Sequence, residues 1–142
     1  MTSPRLRRIK LTALLVGAAG LGACVAPILT VPPPGASEIA FSSKIIADVD
    51  GGVDGGAPRR VWNAKGGPLP SAALATYYLD NRALGSGVIA TALADGSFTS
   101  GDMEGTDGDP IQIYYVTPAG NYSESICVLL TDDSSPPPVC PE

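Results

Sequence analysis

Gly, Pro, Asn and Asp interrupt this chain so often that few stretches reach the length of an ordinary helix, about 11–12 residues. The 142 residues include 17 Gly and 14 Pro. Between the breaks lie short apolar runs, and short apolar runs bounded by turn residues read as strands. Seven are expected: 44–49, 60–64, 73–79, 87–93, 97–101, 111–117 and 125–130. In the sixth, Ile111, Ile113 and Tyr115 share one face at period two. Ile126, Val128 and Leu130 alternate likewise, which puts Cys127 on the opposite face. Asp95-Gly96 between two apolar runs predicts a type I′ hairpin turn, which needs two residues tolerant of positive φ. Ala119-Gly120-Asn121 predicts a second turn of that sort. Regularly spaced strands without a convincing helix imply a sandwich or barrel.

One segment admits two readings. From Ser71 to Gly85, Ser71 suits a helix N-cap, Leu74 and Tyr78 lie four apart, and Gly85 suits a stop. The apolar run 73–79 equally suits a strand. The blocks around it carry further information. Gly67-Pro68-Leu69-Pro70 leads into the segment, and Ala94-Asp95-Gly96-Ser97-Phe98 follows it. Gly108-Asp109-Pro110-Ile111-Gln112-Ile113 and Pro118-Ala119-Gly120-Asn121-Tyr122-Ser123 come next. In this order, residues 59–130 resemble bacterial immunoglobulin-like repeat domains, which recur in surface and secreted proteins. That resemblance implies a strand at 73–79 and an all-β, immunoglobulin-like Greek-key sandwich of about seven strands spanning 43–131. The acidic loop 101–109 and the cysteines depart from the family pattern, and one copy stands where arrays are common.

The first ten residues carry Arg5, Arg7, Arg8 and Lys10 and no acid, and residues 11–23 carry no charge. A basic start, an apolar run and a small-residue end mark a secretory signal at 1–23. Leu21-Gly22-Ala23-Cys24 resembles the lipobox of bacterial lipoproteins. The resemblance implies cleavage before Cys24 and acylation of its thiol. Two or more acyl chains hold a protein stably to a bilayer. Val25, rather than Asp, after the cysteine resembles the outer-membrane side of the enterobacterial sorting rule, with the domain on the periplasmic or the surface face. Two alternatives remain open: a spanning helix over 11–31, which Gly and Pro27 disfavour, and cleavage without lipidation. Residues 24–42, with Pro32-Pro33-Pro34, read as an extended tether, and 132–142 as a second Pro-rich tail.

Without the leader, 119 residues remain, one domain's worth. They keep five of the nine Lys and Arg and all 14 Asp and Glu, a net charge of −9. An acidic chain without a basic stripe is a poor partner for nucleic acid. Histidine is absent, which removes the commonest general base and zinc ligand. With Cys24 committed to lipid, Cys127 and Cys140 are free to form one disulfide, worth about 3 kcal/mol for so short a loop. A metal site is the alternative use of the pair.

Asp48-Val49-Asp50-Gly51-Gly52-Val53-Asp54 alternates acids along a Gly-rich turn, as calcium loops do. The fifth position, Gly52, and the twelfth, Arg59, break the EF-hand pattern, leaving a non-EF calcium site or a solvated linker. Asp102, Glu104, Asp107 and Asp109, with Asp95 across the turn, form a second acidic cluster with the same two readings. No G-x-S-x-G elbow accompanies the serines. Most of Trp62, Tyr77, Tyr78, Tyr114, Tyr115 and Tyr122 are expected in the core or in cross-strand pairs, and an exposed Tyr pair suits a carbohydrate or protein surface. The functional expectation is a membrane-anchored, non-catalytic binding, adhesion or scaffold module that contacts an envelope protein or surface glycan, with the loop 101–109 as first candidate surface. No cofactor is expected unless calcium binds. The alternative is a calcium-responsive structural spacer.

Overall fold

A computed structural model describes residues 31–46, 59–132 and 136–141. Eight strands run in chain order: β1 (Ile39–Ile46), β2 (Arg59–Gly66), β3 (Thr76–Asn81), β4 (Ser86–Thr91), β5 (Phe98–Thr99), β6 (Met103–Glu104), β7 (Pro110–Val116) and β8 (Ile126–Leu129). One sheet has the order β1-β2-β5, with β6 also on β2, and the other has the order β4-β3-β7-β8. Every strand pairing is antiparallel. The chain changes sheet between β2 and β3, between β4 and β5, and between β6 and β7. That connectivity makes an immunoglobulin-like Greek-key sandwich.

Alternation builds the core. On β7, Ile111, Ile113 and Tyr115 are fully buried, while Gln112 and Tyr114 between them are half-buried. On β3, Tyr77, Leu79 and Asn81 point inward. Trp62 and Ala64 of β2, Met103 of β6 and Val128 and Leu130 close the layer from other directions. The segment 71–85 holds a strand rather than a helix, β3 at Thr76–Asn81, preceded by a short 3-10 turn at Pro70–Ala72 and followed by a turn over 82–85. Ala73 and Leu74 form a tight turn in which the Ala75 N–H donates to the Ala72 carbonyl at 3.0 Å. Leu74 sits there at φ 57°, the left-handed region, with its side chain in solvent.

Three expectations need correction. The tether was expected to run to residue 42, yet Ile39–Ser42 belong to β1, and Ile39 and Phe41 are core residues. The Pro-rich composition just upstream masks their period-two spacing. Even Val31 bridges Ser123, and the Pro32 carbonyl accepts the Tyr115 hydroxyl at 2.8 Å. The first strand accordingly starts five residues before the expected Lys44; Val49 lies outside the described residues.

The second correction concerns the turns. Asp95 has no positive φ, so the turn is not type I′. The Gly96 N–H donates to the Leu93 carbonyl at 2.9 Å and the Leu93 N–H to the Ser97 carbonyl at 2.8 Å, with Gly96 at φ 84°. This is a three-residue loop with glycine in the left-handed position. Thr117–Asn121 repeats it, with Gly120 at φ 84°. After the first of these loops the flanking strands part into opposite sheets rather than forming a hairpin.

The third concerns the acidic loop 101–109, which contains β6. The Trp62 indole N–H donates to the Gly105 carbonyl at 2.9 Å, and Asn81 donates to the Glu104 carbonyl at 3.1 Å. Such stitching makes the loop part of the sandwich wall. The C-terminal tail is likewise docked. Cys127 and Cys140 are disulfide-bonded, with Cα atoms 5.4 Å apart. The Leu129 N–H donates to the Pro138 carbonyl at 2.8 Å, and Val139 bridges Val128. The tail thereby covers the outer edge of β8, which would otherwise present unpaired backbone groups. Among the described residues no helix is long and apolar enough to cross a membrane.

Candidate binding face

The two Tyr-Tyr dipeptides face each other across β3 and β7, with Tyr77 opposite Tyr115 and Tyr78 opposite Tyr114. Because successive side chains of a strand point to opposite faces, each dipeptide sends one ring into the core and one outward. Inside, Tyr77 stacks on Phe98 at 4.1 Å and lies 5.2 Å from Tyr115. Burial, reinforced by Tyr115 and Glu38, holds the Tyr77 phenol well above the ordinary phenol range.

Outside, Tyr78 and Tyr114 stack at 5.0 Å with planes 6° apart, and Tyr122 lies 6.4 Å beyond Tyr114. Ile89 of β4 stands opposite Tyr78 on the other side. The row Ile89–Tyr78–Tyr114–Tyr122 thus crosses the outer face of the sheet over about 14 Å, three interstrand spacings. Its two ends are the open ones, Ile89 being 63% and Tyr122 70% exposed. Desolvation by the neighbouring rings raises the Tyr114 phenol above its usual range, and Asp80, Tyr78 and Tyr122 add to the shift. The row presents apolar ring surface edged by phenol hydroxyls.

A polar row runs beside it. Asp80 stands opposite Gln112 in the β3–β7 register. Arg82 Nη1 donates to Gln112 Oε1, and Gln112 Nε2 donates to Ser125 Oγ at 3.0 Å. Aromatic surface flanked by planar polar side chains is an arrangement that binds ligands with both apolar faces and hydrogen-bonding edges.

The other residues singled out from sequence are dispersed. Asp102 pairs with Lys44 at 2.8 Å and Glu104 with Arg59 at 2.6 Å. Asp109 accepts hydrogen bonds from Asn81 Nδ2 and the Thr106 N–H, both at 2.9 Å. Asp107 is exposed, and Asp95 accepts from the N–H and hydroxyl of Ser97, which lowers its carboxyl below the usual range. Among the described residues no three His, Cys, Asp or Glu side chains converge to hold a metal ion. Cys24, Asp48, Asp50 and Asp54 lie outside the described residues. Arg82 and Gln112, by contrast, carry no sequence signal; only the strand register brings them beside the tyrosines. Compared with known protein families, curated proteins and solved structures, the chain gives no match.

Proposed function

We propose that this chain is a membrane-anchored envelope lipoprotein whose immunoglobulin-like sandwich serves as a non-catalytic binding module, with the outer tyrosine face as its contact surface. The observation that carries the reading is the row of Tyr78, Tyr114, Tyr122 and Ile89, which the fold leaves on a flat sheet face while the matching Tyr77 and Tyr115 fill the core. Cross-strand stacking accounts for the Tyr78–Tyr114 pair, and its continuation into exposed Ile89 and Tyr122 makes a contiguous apolar patch of the kind that marks interaction sites. The lipobox-like Leu21-Gly22-Ala23-Cys24 supports the anchor. Val31 follows Cys24 by seven positions, so the start of the described domain lies at most about 25 Å from the acyl chains. Val31 bridges Ser123, next to Tyr122. Partners are therefore sought in the layer close to the membrane.

Two measurements test the reading. The intact mass of protein extracted from its own membranes is expected to fit residues 24–142 plus acyl chains. Cross-linking in the native envelope is expected to recover partners with wild type and to lose them with the Tyr78→Ser, Tyr114→Ser double variant. Identical partner sets would overturn the tyrosine face, and an unacylated mass would overturn the anchor.

A further inference from the structure

Beside the tyrosine row the outer surface sinks into a cavity of about 460 Å³ between β7, β8 and the returning C-terminal segment. Arg82, Gln112 and Ser125 line one side, and the Cys127–Cys140 disulfide with Pro141 lines the other. The polar lining is already internally ordered. Arg82 occupies the only side-chain acceptor of Gln112, and the Gln112 amide in turn donates to the Ser125 oxygen. What remains is mostly donors: the other N–H groups of the guanidinium, the second amide hydrogen of Gln112 and the Ser125 hydroxyl hydrogen, beside one further lone pair each on Gln112 Oε1 and Ser125 Oγ.

Charge points the same way. Lys44, Arg59 and Arg60 each pair with a carboxylate, whereas among the described residues Arg82 makes no ion pair. No acidic side chain among the described residues lines the cavity. The nearby Asp80 is turned toward β4, where a Cβ added at Gly87 would lie 2.7 Å from its Oδ1. A guanidinium that meets no carboxylate among the described residues offers an anionic acceptor its remaining donors, and its planar fork matches a carboxylate. Gln112 and Tyr114 are two residues apart on the same face of β7, about 7 Å along the strand. One ligand can therefore reach both the cavity and the ring row.

We propose that this cavity is the acidic subsite of the tyrosine face and takes the carboxylate of a uronic-acid-containing glycan. The inference rests on the reading of that face as a binding surface. The sugar ring lies along Tyr114 and Tyr78, its hydroxyls meet the phenols and Asp80, and its carboxylate meets Arg82, Gln112 and Ser125. A polyhydroxylated ring uses the acceptors and donors of this row more fully than an acidic peptide side chain does.

The test is calorimetric titration of the purified full-length protein with tetragalacturonate and with neutral galactotetraose. The acidic oligomer is expected to bind about ten-fold more tightly or better, the effect of a charge-assisted hydrogen-bonded pair. Arg82→Gln is expected to abolish that preference without moving the melting temperature, and Tyr114→Ala to weaken both ligands. Equal affinity for the two oligomers, both dependent on Tyr114, would overturn the acidic subsite and leave the tyrosine face standing. So would a preference that survives Arg82→Gln. Failure of both oligomers to bind would overturn the inference, while the cross-linking experiment decides the face separately.

Discussion

Asn81 is a buried side chain that ties three parts of the sandwich together. It ends β3 at 1% exposure, and its amide donates to the Glu104 carbonyl at 3.1 Å and to Asp109 Oδ2 at 2.9 Å. Its oxygen accepts the N–H groups of Ala83 at 2.9 Å and Leu84 at 3.3 Å. Asn81→Ala removes three neutral hydrogen bonds and one to a charged group. At about 1 kcal/mol for each neutral bond and somewhat more for the charged one, less what water restores at the exposed ends, the expected loss is about 3–4 kcal/mol. For a domain of this size that lowers the melting temperature by roughly 12–30 °C. Trp62 is the only tryptophan, and its indole donates to Gly105, next to Glu104, so its fluorescence reports on the same region during urea unfolding. Asn81→Asp sharpens the test. It keeps the acceptor but places a second carboxyl against that of Asp109, and burial beside a like charge raises the introduced group's folded pKa. A raised folded pKa means stability present below the unfolded carboxyl range, about pH 4, and lost as pH rises above it. The Asp variant should therefore approach wild type in acid and be at its weakest near neutrality. A loss below about 1 kcal/mol for the alanine variant, well under the cost of emptying such a site, would refute the reasoning. So would a pH-independent aspartate variant.

Four further outcomes are expected. Gly96→Ala should cost at least about 2 kcal/mol, because φ is 84° and the new Cβ would lie 1.8 Å from the Leu69 carbonyl oxygen. Gly120→Ala, with the same φ but open space around it, should cost only about 1 kcal/mol, and equal melting temperatures would contradict the comparison. Leu74→Gly should stabilise the domain by about 1 kcal/mol in denaturant titration despite deleting a large side chain, since Leu74 is exposed and held in the left-handed region. Cys127→Ser with Cys140→Ser should cost about 3 kcal/mol and make the wild type's sensitivity to reductant disappear. Finally, the raised Tyr77 phenol predicts stability that is full below about pH 10 and falls at higher pH, as the unfolded chain ionises first. Tyr77→Phe should flatten that part of the alkaline unfolding curve.

The period-two spacing of Ile111, Ile113 and Tyr115 and of Ile126, Val128 and Leu130 was legible because local alternation alone decides which face of a strand is apolar. The Cys127–Cys140 bridge was legible from the two cysteines left once Cys24 is set aside, and the same alternation turns Cys127 toward the returning tail. Turn positions at Gly96 and Gly120 were also legible, but not their type, because loop length and backbone twist depend on where the flanking strands go. Composition misled at Ile39–Ser42, where nearby prolines outweighed two core residues in the reading of a tether.

Sequence by itself thus determined an all-β chain, its main strands and its disulfide, since each rests on residues close together or on residue type. Which tyrosines face solvent, which acids are tied up by Lys44 and Arg59, and the meeting of Arg82, Gln112 and Ser125 were decided only by tertiary structure. Those contacts join residues 13 to 58 positions apart, and a shift of register by one residue would send the strand residues among them, such as Tyr78, Tyr114 and Gln112, to the other face.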